Sequence, residues 1–333
     1  MTSSNTQVPP RISVITPSYN QAKYLEQCIR SVLDQNYPQV EYMIIDGGSS
    51  DESQAIILKY AGRLAYWVSE PDRGQSDALN KGFRRASGDL VAWLNADDFY
   101  LTNALERVAE AYLRDPHASF YFGNGWRVDE KGDYKSDYFP GGGVTFNREA
   151  LIHGLNFILQ PATFIRRTAL EQAGYLDEQL HYALDTDLWI RLSALANPVP
   201  VQAFLAASRE YAQAKSSKGS FERLEELRRV AEMHSGLPVT PGYLCYFLDT
   251  LDRFARQHED IYPPAYHKDL ETFWAATARL MEAYGARPDG VPVTEQQTFD
   301  PPAMVPAPLT PVPLYKKFLR KLYHLIGRFA ALV

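Results

Sequence analysis

The stretch GDLVAWLNADDFY, residues 88–100, places five consecutive apolar residues almost directly before two adjacent aspartates. Residues 90–94 form a continuous hydrophobic run of the length expected for a buried strand. Asp97 and Asp98 follow with almost no loop, so two like charges stand where a core strand ends. Neighbouring carboxylates repel each other and are difficult to keep ionised near a core, so this arrangement needs a compensating partner.

The segments around this stretch alternate between strand and helix patterns. Three further short apolar runs predict strands, namely RISVITP (11–17), VEYMIID (40–46) and LAYWVSE (64–70). Segments with helical spacing of apolar residues lie between and after these runs. Such alternation predicts an α/β fold whose mainly parallel sheet is covered by helices on both faces.

Composition and charge restrict the class of protein. Hydrophobic residues at 45% and charged residues at 22% are ordinary globular values, and a net charge of -6 gives no reason to expect nucleic acid. The two cysteines, Cys28 and Cys245, lack the spacing of a metal site, which suits a reducing cytoplasm. We expect neither a secretory signal nor a membrane-spanning helix, because the chain lacks an N-terminal apolar segment and any run of 18 apolar residues.

Polar residues follow each of the first four predicted strands. In an open α/β sheet, ligands bind beyond the carboxyl ends of the strands. A turn or a helix cap is the simpler explanation for any one of these groups, but four on one edge of one sheet favour a shared ligand site. The four groups are Pro17–Asn20, Asp46–Gly48, Glu70–Arg73 and Asn95–Asp98.

A divalent cation would resolve the repulsion between Asp97 and Asp98. Mg²⁺ or Mn²⁺ commonly takes one or two carboxylates from the protein and completes its shell with water and phosphate. The pair is therefore predicted to form a partial metal site for a diphosphate. A structural alternative is that Asp98 caps the helix beginning near Thr102.

Several ordered blocks resemble the inverting family 2 glycosyltransferases with the GT-A fold, over about residues 11 to 212. The fold so implied is a GT-A type, Rossmann-like, mixed and mainly parallel sheet with flanking helices. The blocks are SVITPSYNQAKYLEQCIRSVLDQNYPQVEYMIIDGGSSDES (13–53), SEPDRGQSDALNKGFRRASGDLVAWLNADD (69–98), FIRRTALEQAGYLDE (164–178) and DTDLWIRL (185–192).

The resemblance implies a nucleotide-sugar site at the strand ends. Pro17 and Tyr19 would lie along the base and ribose, and Asp46 would accept a hydrogen bond from either group. Arg73 would face the diphosphate, and Asp77 is a weaker donor-site candidate.

Two departures from the family pattern concern the donor site. Asn95 occupies the first acidic position of the DxD-type motif, so the metal would be held by Asp97 with help from Asp98. Gly47 replaces a frequent second aspartate, which leaves the identity of the base open.

Asp185 matches the family's general base, although Leu184 stands where many relatives have Glu. Acids at a helix start also interact favourably with the helix dipole. We apply that explanation to Asp187 and favour catalysis for Asp185. Asp185 would take the proton of an acceptor hydroxyl in a single displacement with inversion. A cation at Asp97, with Arg73, would neutralise the leaving nucleoside diphosphate.

The expected organisation is a glycosyltransferase domain (1–212), a helical extension (213–285), a Pro-rich linker (286–313) and a basic amphipathic helix (314–333). The last segment has five Lys or Arg and no Asp or Glu, which leaves -11 on residues 1–313. This helix either packs on the protein body or lies in a membrane interface, and its positive charge favours peripheral membrane contact.

The sequence thus predicts an inverting, Mn²⁺- or Mg²⁺-dependent glycosyltransferase of the cytoplasm or the cytoplasmic membrane face. A UDP-sugar donor is favoured, with a glycan or lipid-linked acceptor in cell-surface polysaccharide synthesis. A sugar-phosphate nucleotidyltransferase would need a glycine-rich loop after the first strand, which TPSYNQAKYL (16–25) lacks. A catalytically inactive nucleotide-sugar-binding or membrane scaffold stays open because of Asn95 and Leu184.

Overall fold

The computed structural model of the chain describes residues 8–215 and 221–257. Within them, nine strands form one mixed sheet, with helices on both of its faces. The strands are β1 (Ile12–Ser18), β2 (Val40–Asp46), β3 (Tyr66–Ser69), β4 (Leu90–Trp93), β5 (Phe99–Tyr100), β6 (Phe120–Val128), β7 (Tyr134–Asp137), β8 (Thr163–Arg166) and β9 (Val199–Arg209). The helices are α1 (Ala22–Leu33), α2 (Ser53–Tyr60), α3 (Gln75–Arg85), α4 (Ala104–Arg114), α5 (Arg148–Ile152), α6 (Arg167–Ala173), α7 (Leu184–Leu195), α8 (Phe221–Ser235) and α9 (Pro241–Gln257).

The strand order is β3-β2-β1-β4-β8-β6-β9-β5, with β7 beside β6. Strands β1, β2, β3 and β4 all run parallel to one another, whereas β8 runs antiparallel to both β4 and β6. Ser18 pairs with Asp46, and Asp46 pairs with Ser69, so three strand ends lie side by side. The predicted GT-A type sheet is confirmed, and it collects the polar strand ends at one edge.

Alternating residues of the parallel strands enter two different cores. Val14 and Ile44 pack into the cluster on the α1 and α4 side, while Ile15 and Ile45 pack into the cluster that includes α3 and α7. All four of these side chains are buried. A sheet covered on both faces requires strands that are apolar on both sides, which explains the continuous hydrophobic runs of the sequence.

Helices α8 and α9 pack onto the face of the sheet that α3 and α7 cover rather than forming a separate body. Leu227 and Val230 of α8 belong to the same core cluster as Trp189 of α7. At the start of α9, a Cβ atom on Gly242 would lie 2.2 Å from the carbonyl carbon of Gly154, so the two backbones touch. The expected extension 213–285 is therefore partly described, and the expected linker 286–313 and basic helix 314–333 lie outside the described residues.

The search for membrane-spanning helices covers the described part of the chain. There, no helix combines the length and apolar character that crossing a bilayer requires.

The close packing of α3 against β1 gives a first prediction. A Cβ atom on Gly82 would lie 2.6 Å from Cγ2 of the buried Ile15. In Gly82→Ala, strain of about 1–3 kcal/mol should exceed the gain of about 1 kcal/mol from replacing a helical glycine. We expect a lower free energy of unfolding in urea. The control is Gly62→Ala, at a position with open space around it, which should change that free energy by less than about 0.5 kcal/mol. Equal changes in the free energy of unfolding in the two variants would contradict the tight contact at Gly82.

Candidate active site

A cleft of about 1050 Å³ lies at the carboxyl edge of the parallel strands. Strand ends form one wall, and the start of α7 with parts of α8 and α9 forms another. The cleft is lined on the strand side by Pro17, Tyr19, Gly47, Asp72, Gln75, Asn95, Asp97 and Asp98, and elsewhere by Asn156, Gln160, Tyr182, Asp185, Arg209, Tyr211, Lys215, Arg223 and Tyr246.

The two aspartates after β4 have different surroundings. Asp98 is buried, and its Oδ1 accepts a hydrogen bond from the backbone N–H of Arg209 at 3.0 Å. Asp97 is half-buried in the cleft lining, and its Oδ2 accepts from the hydroxyl of Tyr211 at 2.9 Å. Burial raises the pKa of both carboxyls, and the charge of Asp97 raises the pKa of Asp98 further. The expected capping role of Asp98 is wrong, because α4 begins at Ala104 after Asn103.

A buried arginine holds the turn that carries these aspartates. The Arg209 side chain donates from Nε to the carbonyl oxygen of Asp97 at 2.8 Å. Its other nitrogens donate to the carbonyls of Asp129 and Glu130 and to Oε1 of Gln27. A guanidinium group so placed favours negative charge at the strand end, but these donors are already used within the protein.

Asn95 belongs to a chain of side-chain amides. Its Oδ1 accepts from Gln75 at 2.8 Å, and its Nδ2 donates to Gln160 at 3.0 Å. Gln160 in turn donates to the carbonyl of Trp93, and Gln75 accepts from Nζ of Lys215 at 2.9 Å. The residue at the first acidic position of the motif therefore links two walls of the cleft.

The donor-site candidates near β1 and β2 differ in accessibility. Pro17 and Tyr19 line the cleft, and the Tyr19 side chain is 63% exposed. Asp46 is fully buried, and its carboxylate accepts from the N–H of Ser49 and from the hydroxyls of Ser49 and Ser69. Asp46 is absent from the cleft lining, so the structure places it under the strand ends rather than at the ligand surface.

Asp72 lies in the space that a side chain at position 47 would need. A Cβ atom on Gly47 would lie 2.5 Å from Oδ2 of Asp72, while Oδ1 of Asp72 accepts from the N–H of Gly74 at 2.8 Å. The aspartate missing at position 47 is thus matched by a carboxylate from the neighbouring strand end. Sequence reasoning did not single out Asp72, although it lies in one of the four polar strand ends.

Arg73 and Asp77 do not line the cleft. The Arg73 guanidinium donates to Asp77 at 2.9 Å and to Glu178 at 2.6 Å, and its side chain is 75% exposed. Lys215 is a cleft cation that the sequence did not indicate. It is half-buried, and burial lowers its pKa against the opposing charges of Glu226 and Asp185.

Asp185 lies in the first turn of α7 and lines the cleft. Its Oδ1 accepts from the N–H of Thr186 at 2.7 Å, and its Oδ2 accepts from Nδ2 of Asn156 at 3.3 Å. Burial raises the pKa of this carboxyl, although the hydrogen bonds from Thr186 oppose the rise. A cleft carboxylate with a raised pKa has the chemistry of a general base.

Asp187 does not line the cleft, which agrees with the structural role expected for it. Its carboxylate accepts two bonds from Arg191 and contacts Nε2 of His234 at 2.9 Å, with 4% of the residue exposed. Burial opposes its ionisation, but the bonds from His234 and Arg191 prevail and lower its pKa.

Stacked tryptophans join the strand of Asp97 to the helix of Asp185. The rings of Trp93 and Trp189 lie 5.5 Å apart with an interplanar angle of 11°. Both rings are buried, so β4 and α7 meet through a rigid contact beneath the cleft.

The donor atoms near Asp97 fit a hard cation only in part. In residues 8–215 and 221–257, no three His, Cys, Asp or Glu side chains converge on one point. Asp97 and Asp98 supply carboxylate oxygens of the kind that Mg²⁺ and Mn²⁺ prefer, and phosphate and water would have to complete the shell.

Comparison with known proteins identifies the family. The model described as Glycosyl transferase family 2 matches residues 13–174. Residues 13–174 belong to glycosyl transferase family 2. An uncharacterized glycosyltransferase of Rickettsia typhi is 28% identical over 229 residues, which cover 65% of this chain and 69% of that protein. A relative in Rickettsia conorii is 28% identical over 219 residues, which cover 62% of this chain and 35% of that longer protein. The chain is therefore a glycosyltransferase, as its motif blocks predicted.

Solved glycosyltransferase structures share the fold. S. aureus TarS 1–349 in complex with UDP-GlcNAc has a TM-score of 0.56 at 18% identity, covering 82% of this chain and 81% of that chain. The mannosyltransferase PcManGT from Pyrobaculum calidifontis, in complex with GDP-Man and Mn²⁺, has a TM-score of 0.53 at 18% identity, covering 84% and 83%. These likenesses confirm the GT-A architecture of the chain.

The raised pKa of Asp185 gives a prediction about the stability of this glycosyltransferase. Because folding raises that pKa, ionised Asp185 lowers the stability of the native state. The loss develops as pH rises above the ordinary aspartate pKa of about 4. Asp185→Asn should therefore melt at a higher temperature than the wild type at pH 7, and the difference should shrink towards pH 4. A variant that melts lower at pH 7 would contradict the assigned direction.

Proposed function

We propose that this glycosyltransferase is inverting and metal-dependent, and that it moves a sugar from a nucleotide sugar to a hydroxyl group. The main support for this proposal is that Asp97 and Asp185 line one cleft and that burial raises the pKa of each. A UDP-sugar is the favoured donor, and a glycan or lipid-linked acceptor in cell-surface polysaccharide synthesis is the favoured class. The nucleotide-sugar complexes of TarS and PcManGT support this choice of donor class.

The nucleoside would bind at the strand ends. Pro17 and Tyr19 offer an accessible apolar and aromatic surface for the base and ribose. Asp72 offers a carboxylate that can accept a hydrogen bond from the nucleoside, since only its Oδ1 accepts from Gly74. Asp46 would support this surface from below by holding Ser49 and Ser69.

Asp97, with Asp98 behind it, would hold the divalent cation, either Mn²⁺ or Mg²⁺. The Tyr211 hydroxyl uses one lone pair of the Asp97 carboxylate, which offers about four such sites in all. A bound cation supplies positive charge to the departing diphosphate. Asn95 would contribute indirectly, by holding Gln75 and Gln160 in place.

Lys215 would bind the diphosphate in place of Arg73. It lies in the cleft lining and is close enough to Asp185 to interact with its charge. A half-buried ammonium group stabilises developing phosphate charge more strongly than an exposed arginine that is already paired with two carboxylates.

Asp185 would remove the acceptor's proton as the hydroxyl oxygen attacks the anomeric carbon. The bond from that carbon to the diphosphate oxygen breaks in the same displacement, which inverts the configuration. The contact with Thr186 orients the carboxylate, and the contact of Oδ2 with Asn156 is long, at 3.3 Å.

A catalytically inactive nucleotide-sugar-binding scaffold is the second candidate, because Asn95 and Leu184 depart from the family pattern. The cytoplasmic location and the membrane contact of residues 314–333 stay predictions.

Catalysis by Asp185 is testable by substitution. In Asp185→Asn, kcat for sugar transfer or donor hydrolysis with Mn²⁺ should fall at least about 100-fold, the range for a lost general base. The Kd for the nucleoside diphosphate should change less than about twofold, because that ligand binds at the strand ends. Glu171→Gln, which removes a surface acid paired with Arg167, is the control. Equal rates in Asp185→Asn and wild type would favour the scaffold.

Lys215 and Arg73 form a matched pair for the diphosphate contact. We expect Lys215→Met to lower kcat about 10- to 100-fold, because a charge stabilising the leaving group is lost. Arg73→Met should stay within about twofold of wild type. Steady-state kinetics with a nucleotide sugar measures both. A larger loss of kcat in Arg73→Met than in Lys215→Met would assign the diphosphate contact to Arg73 instead.

A further inference from the structure

The helix that carries Asp185 lacks a cap of its own. A helix start leaves backbone N–H groups without partners inside the helix. Ser, Thr, Asp or Asn at the N-cap usually satisfies one of them. In α7 the N-cap is Ala183, which has no side chain able to accept such a bond.

A glutamate from α8 binds the backbone of the N-cap and of the two residues before it. One oxygen of Glu226 accepts from the N–H groups of His181, Tyr182 and Ala183, at 2.9, 2.5 and 2.6 Å. The other oxygen also contacts the N–H of His181, at 2.9 Å. Glu226 is 5% exposed, so water competes little for these bonds. A carboxylate in front of a helix also complements the positive end of its dipole.

We infer that Glu226 is a positioning residue for the transfer reaction, acting through the backbone that leads to Asp185. The inference rests on the proposed function, in which Asp185 is the general base. It makes helix α8 part of the catalytic unit rather than an appended support.

The effect on Asp185 follows from the few contacts that orient its carboxylate. Besides the bonds with the adjacent Thr186, its carboxylate accepts from Asn156, at 3.3 Å, and interacts with the charge of Arg223 on α8. Its direction therefore depends on the backbone at the start of α7, which Glu226 holds two to four residues earlier. A displacement of about 1 Å at a reacting group can cost about 100-fold in rate.

The helix that carries Glu226 is packed into the core. Leu227 and Val230, on the same helix as Glu226, are buried in the core cluster that contains Trp189 of α7. The segment it holds also contributes His181 and Tyr182 to the cleft lining. Glu226 therefore connects a packed helix to the cleft wall that carries the general base.

The test compares Glu226→Gln with Glu225→Gln. The first variant keeps the shape of the side chain but removes its charge and turns an amide NH₂ towards backbone donors. The second removes the same charge one residue away, from a side chain that is 53% exposed and paired with Arg228. We expect kcat to fall at least about tenfold in Glu226→Gln only. The Kd for UDP or GDP with Mn²⁺ should not rise more than about twofold in either variant, because losing the charge of Glu226 leaves the charge of Lys215 less offset.

Amide hydrogen exchange gives a readout that does not require activity. The amides of residues 181–183 should exchange faster in Glu226→Gln than in wild type, while core amides of β1 stay protected. Glu226→Asp, which keeps the charge on a shorter side chain, should recover part of kcat and provides a second variant if the glutamine form is poorly folded.

The outcomes separate the two levels of the proposal. An active wild type with unchanged kcat or unchanged exchange in Glu226→Gln overturns the positioning role alone. A parallel loss of kcat, ligand affinity and folded protein also overturns it, because that pattern is structural. A wild type that transfers no sugar from any nucleotide sugar tested overturns the proposed function, and the positioning role with it.

Discussion

Two consecutive carboxylates have to share a partly dehydrated space where β4 ends, and the site is arranged around that constraint. The structure separates them: Asp98 is turned inward to the backbone of Arg209, while Asp97 lies in the cleft with Tyr211. The Arg209 guanidinium fixes the turn through the carbonyl of Asp97. The carboxylate of Asp98 is thereby bonded within the protein. The carboxylate of Asp97 is available to a cation that a diphosphate also binds.

The two chemical roles come from different parts of the chain that pack as one unit. Parallel strand ends provide the proposed donor surface, because their register places Ser18, Asp46 and Ser69 side by side. The proposed general base, Asp185, comes from α7, which meets β4 through the stacked Trp93 and Trp189. Glu226 of α8 binds the backbone of residues 181–183, just before α7, so we infer that the helical extension takes part in setting the geometry between base and donor.

The sheet and part of the site could be predicted from the sequence, because apolar runs and ordered motifs are local signals. Tyr19, Asp97 and Asp185 line the cleft as expected. The position of Arg73 could not be foreseen, since its partner Glu178 lies 105 residues further along the chain. Lys215 and Glu226 carry no motif that the residues alone reveal. Their roles depend on long-range packing, which spacing along the chain does not encode.

Cation-dependent binding of a nucleoside diphosphate tests the central claim about the end of β4 most directly. Calorimetry with UDP and with GDP, each with Mn²⁺ or with a chelator, would compare wild type and Asp97→Asn. We expect the wild type to bind at least one of the two nucleotides at least about tenfold more tightly with Mn²⁺, and Asp97→Asn to lose that enhancement. Equal enhancement by Mn²⁺ in both proteins, or none in the wild type, would contradict a metal role for Asp97.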